Sequence, residues 1–192
     1  MTDYSKPFGV SIDFRSGVME HADRIIERRA SDLRGYYADA SELEALISSG
    51  NPVHYRVYEK AIPETEGHLL LCMSVLEPGR IGDEFFMTKG HYHTVAGTAE
   101  TYLCVRGRGL MLMKTAEGDW SAEPMHNSRL VYVPPFWAHR SINTGDEPLI
   151  SFCVYPAHAG HNYGDIETEG FPQRAVLNDR GEAVLIDRSA SG

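Results

Sequence analysis

From Pro52 onward the chain is a series of short apolar runs, each broken after a few residues by glycine, proline or aspartate. Runs of this kind read as strands at 53–59, 68–76, 83–88, 100–106, 109–115, 129–133, 139–143 and 148–155. The breaks fall at 63–67, 78–79, 107–109, 117–119 and 145–146. Residues 173–187 read as a last hairpin turning at Asn178 to Gly181. Many short strands with regular turn signals indicate an all-β sandwich or barrel. The first 50 residues differ. Val18, Ala22, Ile25, Ile26, Ala30 and Leu33 recur roughly at helical spacing, which predicts a helix ending at Gly35. Ser41 and Glu44 form a capping-box pattern, so a second short helix is expected there, with Leu43, Leu46 and Ile47 as its apolar face. Pro52 prevents that helix from restarting. The expected organisation is one domain over 1–192: a helical extension at 1–50 packed on the barrel, a barrel core at 53–157 and a C-terminal hairpin extension at 158–192.

A formal net charge of -9 argues against nucleic acid as a partner, since that role calls for a basic surface. It also means that any anionic substrate must be met by a local pocket of donors. The N-terminus shows no signal-peptide pattern and no apolar stretch is long enough for a bilayer, so no membrane role and a cytoplasmic location are expected. Cys72, Cys104 and Cys153 each sit in an apolar run and read as buried free thiols.

Chemistry is concentrated in Thr88-Lys-Gly-His91-Tyr-His93. Alternate residues of a strand share a face, so His91 and His93 are expected to point together into the barrel. Glu100 follows at an odd interval, but Ala96-Gly97-Thr98 breaks the strand and resets the parity. Pro134-Pro135 cannot occupy a central strand and marks a stiff turn that delivers His139. Three histidines and a carboxylate suit Fe(II), Mn(II), Zn(II), Ni(II) or Co(II), with positions left for substrate or water. His54, His68, His126 and His158 lack such a setting and read as surface or structural residues.

These residues resemble the cupin superfamily. Its first motif reads here as His91-x-His93, then Glu100 and Gly107, and its second as Pro134, His139 and Asn143. The gap between His93 and Glu100 is longer than the common cupin spacing, and Phe136 stands where the second motif carries glycine. The strings TKGHYH, AETYLCVRGRG, VYVPPFWAHRSINTGDEP and VYPAHAGHNYG resemble the cupin-type glucose-6-phosphate isomerases of archaea and some bacteria, from about Tyr55 to Phe171. The resemblance implies a double-stranded β-helix (jelly-roll) barrel, a homodimer and one divalent metal, Fe(II) foremost, at His91, His93, Glu100 and His139. It implies a sugar-phosphate substrate, with Tyr55, Ser74, Thr88, Gly90 and Tyr102 where that family binds phosphate. Ser74 replaces an expected threonine and keeps the hydroxyl.

The reaction implied is the interconversion of glucose 6-phosphate and fructose 6-phosphate. Either a base removes the C2 proton, with Glu100 leading, or the metal promotes a direct hydride shift between C2 and C1 and Glu100 is a ligand. Tyr155 and His161 are candidates for handling hydroxyl protons, and Tyr163 for holding substrate. The run from Tyr155 to Tyr163 is rich in glycine and proline and is expected at the barrel mouth. Lys89 either adds charge to the phosphate or points outward. The alternatives are another metal-dependent cupin enzyme such as a dioxygenase, and a non-catalytic sugar-binding cupin.

Overall fold

A computed structural model describes residues 3–188. One pair of two-residue strands, β1 (Ile12–Asp13) and β2 (Val18–Met19), precedes β3 (Arg24–Arg29), a 3-10 turn at Ala30–Leu33 and helix α1 (Ala40–Ser48). Then come β4 (Val53–Glu59), β5 (Leu69–Leu76), β6 (Arg80–Ile81), β7 (Glu84–Phe85), β8 (Glu100–Arg106) and β9 (Arg108–Lys114). The chain continues through β10 (Trp120–His126), β11 (Leu130–Val133), β12 (Ala138–Asn143) and β13 (Leu149–Pro156). Helix α2 (Gly164–Glu169) leads to a final hairpin, β14 (Gln173–Leu177) and β15 (Ala183–Asp187).

The largest sheet has six strands in the order β11-β8-β13-β5-β4-β3, and a second has three in the order β10-β9-β12. Every pairing is antiparallel. The sheets face each other across one core, where Met111, Leu112, Ala138 and Ile142 from the small sheet meet Leu76, Tyr102, Cys104 and Leu149 from the large one. This is the cupin barrel expected from the motifs. Tight turns join the strands, and one is sterically fixed. Gly107 has φ +82°, and a Cβ there would lie 2.5 Å from the Pro148 carbonyl oxygen. Gly107→Ala is therefore expected to cost about 1–3 kcal/mol. A lower urea midpoint at unchanged m value would report it, and a wild-type midpoint would refute the constraint.

The N-terminal reading is corrected. Residues 18–33 are not a helix: they form β2, β3 and the 3-10 turn, with β3 pairing to β4. Ile25, placed by helical spacing on the apolar face, is 59% exposed. Arg24, Ile26 and Arg28 share the other face of the strand and line the central pocket. Pairing to an open sheet edge outweighed local periodicity, a common way for tertiary context to override propensity. α1 does form, but Asp39 caps it, accepting from the Glu42 amide at 2.9 Å, rather than Ser41. The run at 83–88 is a strand only at Glu84–Phe85, and beyond it single bridges join Met87 to Ile142 and His91 to His139. β10 and α2 were not foreseen. β10 is an edge strand bearing Pro124, and α2 carries one buried apolar residue, Ile166. Cys72, Cys104 and Cys153 are buried and free. Among the described residues no helix is long and apolar enough to cross a membrane.

Candidate active site and metal centre

The central strands of the large sheet build one pocket by simple alternation. Tyr55, Val57 and Glu59 of β4, Cys72 and Ser74 of β5, Glu100 and Tyr102 of β8, and Cys153 and Tyr155 of β13 all point into it. β13 pairs with both β5 and β8, so Cys153 lies opposite Cys72 on one side and Tyr102 on the other. The segment 86–93 and β12 close the opposite wall with Thr88, Gly90, His91, His139, Arg140 and Ser141. His161 and Tyr163 lie at its rim, their rings stacked with centroids 5.9 Å apart.

His91, His93, Glu100 and His139 offer ligand atoms that all lie within 4.8 Å of one another. His93 and His139 place Nε2 3.1 and 3.0 Å from Glu100 Oε2. The Thr98 hydroxyl donates to the Val95 carbonyl at 2.7 Å. His93 Nδ1, 2.8 Å from that hydroxyl oxygen and 3.1 Å from the Thr98 carbonyl, therefore carries the hydrogen. With Nδ1 engaged there, His93 turns Nε2 toward the Glu100 carboxylate, the geometry of two ligands converging on one cation. Among the described residues, buried His91 Nε2 has no hydrogen-bond partner. The donor set of three imidazoles and one carboxylate thus fits a divalent metal. Thr98 would orient His93 from behind, as ligating histidines are usually held.

Burial and the neighbouring histidines push His91 well below the ordinary histidine value, which keeps it neutral and able to ligate. Burial raises the Glu100 carboxyl, but hydrogen bonds from His139 and His93 outweigh it and hold the group at about 2. Glu59, the other pocket carboxylate, goes the other way: burial lifts it despite Arg24 at 3.2 Å. Burial lowers His161, so it is neutral at pH 7, and burial raises Tyr155, so it stays a hydroxyl donor. Tyr102 Oη lies 3.1 Å from His139 Nε2.

The expected residues are brought together here: Tyr55, Ser74, Thr88, Gly90, Tyr102, Tyr155, His161 and Tyr163 line the pocket with His91, Glu100 and His139, and His93 stands beside these last three in the candidate metal cluster. Lys89 points away and pairs with Glu167 at 3.7 Å. His54 lies outside, stacked on Phe86 at 3.7 Å between ring centroids. Sequence reasoning missed Arg24, Arg28, Glu59 and Arg140. The alternation of Arg24, Ile26 and Arg28 could have exposed the first two, had the segment been read as a strand. Arg140 was hidden by its neighbour His139, and in a strand adjacent residues are expected on opposite faces.

The family model of glucose-6-phosphate isomerase (GPI) matches residues 27–189. Glucose-6-phosphate isomerases of Thermococcus litoralis and Pyrococcus horikoshii are each 46% identical to the chain over 184 residues, covering 96% of the chain and 96% of either relative. The Pyrococcus furiosus glucose-6-phosphate isomerase is 45% identical over the same length. With the barrel and its histidines in place, a match of this extent means that the chain belongs to the cupin-type glucose-6-phosphate isomerase family.

Proposed function

We propose that this chain interconverts glucose 6-phosphate and fructose 6-phosphate in the cytoplasm, as a homodimer of single-domain subunits, with one Fe(II) per subunit at His91, His93, Glu100 and His139. The observation that carries this reading is the convergence of those four ligand atoms from two facing walls at a pocket whose lining also carries the hydroxyls of Tyr55, Ser74 and Thr88. The bound cation would polarise the sugar carbonyl and stabilise negative charge developing on its oxygens.

The chain's own groups divide the remaining work. Hydroxyls and the Gly90 backbone hold the phosphate end, since a dianion accepts several hydrogen bonds at once. Glu100 is ionised and is the base for the C2 proton, returning it at C1. Its environment and that of Glu59 push the two carboxyls in opposite directions, as in sites that need one ionised group and one that more readily holds a proton. Tyr155 donates to a substrate oxygen. His161 is neutral and accepts or returns hydroxyl protons during ring opening.

Turnover of fructose 6-phosphate, coupled to glucose-6-phosphate dehydrogenase, tests the reaction. Activity is expected from the metal-loaded protein, lost on chelation and restored by Fe(II). Run in deuterated water, the reaction should place deuterium at C1 or C2 of the product. A product without deuterium would favour direct hydrogen transfer over a Glu100 base that exchanges its proton with solvent. Oxygen uptake without isomerisation would overturn the whole reading in favour of an oxygenase.

A further inference from the structure

Arg140 follows the ligand candidate His139 and is 4% exposed. An arginine keeps its charge in a protein interior, so a buried one calls for a counter-ion. Among the described residues no carboxylate forms an ion pair with it. Glu84 acts on it from a distance but sits 3.8 Å from Arg174 and accepts from the Ala38 amide at 3.1 Å. The other cations near the pocket are paired or less buried. Arg24 is paired with Glu59 and Glu64, Lys89 with Glu167, and Arg28 is only half-buried.

The Arg140 guanidinium is nonetheless held firmly. Its Nη1 donates to Met87 Sδ at 3.0 Å and its Nη2 to the Lys89 carbonyl at 2.6 Å, while Nε has no hydrogen-bond partner among the described residues. The group lies over the Phe171 ring at 4.3 Å. Those two bonds straddle Thr88. Thr88 is itself tied to Ser141, its amide donating to the Ser141 carbonyl at 3.0 Å and its hydroxyl accepting from the Ser141 amide at 3.1 Å. A Cβ on Gly90 would meet Arg140 Cβ at 3.0 Å, so the segment is packed against the arginine stem.

We infer that Arg140 is the positioning residue and counter-charge for the substrate's phosphate: it holds the Met87–Gly90 segment in the shape that presents Thr88 and Gly90, and its charge is balanced only when the dianion binds. The inference rests on the sugar-phosphate reading of the pocket. It adds a buried positive charge to the pocket of a chain whose net charge is -9.

The test uses the full-length, metal-loaded enzyme and two variants, Arg140→Met and Arg140→Lys. Inorganic phosphate is the probe, as a competitive inhibitor against fructose 6-phosphate, and sorbitol serves as an uncharged control. Arg140→Met should raise KM and the phosphate inhibition constant together by about 30-fold or more, the scale expected when one partner of a buried charge pair is removed. Turnover at saturation, metal content and sorbitol inhibition should stay near wild type. Arg140→Lys keeps the charge but not the fork, and should fall between the two. It decides the matter alone if the methionine variant does not fold. A folded, metal-loaded variant with the wild-type phosphate constant would overturn the inference while leaving the isomerase reading intact. A wild-type enzyme that neither turns over fructose 6-phosphate nor binds phosphate would sink both, and for a different reason.

Discussion

Glu100→Gln is expected to lower kcat by about 10²–10⁴-fold, the range that a positioned acid or base contributes. Glutamine keeps the shape but cannot ionise, whereas Glu100 is held ionised at about 2 by His139 and His93. The variant should remain folded, because its amide still fits between two imidazoles 3.0 and 3.1 Å away. Metal content separates the two duties assigned to this residue. Loss of turnover with metal retained points to the base. Loss of both points to ligation. Normal activity with normal metal content would show that neither role belongs to Glu100.

Metal removal should be visible in stability as well as in turnover. Among the described residues, the four converging groups include a buried His91 Nε2 with no hydrogen-bond partner, which a bound cation would satisfy. A ligand that binds only the folded state at a hundredfold above its Kd adds about 2.7 kcal/mol. For a chain of this size that corresponds to a Tm higher by roughly 5–10 °C. Calorimetry with Fe(II) and with chelator should show that gap for the wild type. His139→Ala should erase the gap, giving the same Tm in both conditions. A wild-type Tm indifferent to chelator, in protein shown by mass spectrometry to have lost its metal, would contradict the site.

The contrast between β3 and β8 shows what could be read from residues alone. Glu100 and Tyr102 follow a clear turn, and period-two alternation then dictates that both enter the barrel, as they do. Residues 24–29 carry no such punctuation. Their periodicity suited a helix, and only the free edge of β4, a partner invisible in a local window, made them a strand and placed Arg24 and Arg28 at the pocket. β10 was hidden for a related reason: Pro124 is tolerated because it lies on an edge, and edge status is a property of the sheet.

The order of turns, the alternation after Pro52 and the His91, His93, Glu100 and His139 spacing were enough to determine an all-β barrel in which three histidines and a glutamate converge, because strand periodicity and turn chemistry are local. Tertiary structure alone decided which polar groups lost their water. It buried Arg140 beside Thr88 with no ion-pair partner among the described residues, raised Glu59 while holding Glu100 low, and turned Lys89 out to Glu167. Those outcomes depend on desolvation and on charges brought together from distant parts of the chain, and neither is encoded in any short stretch of residues.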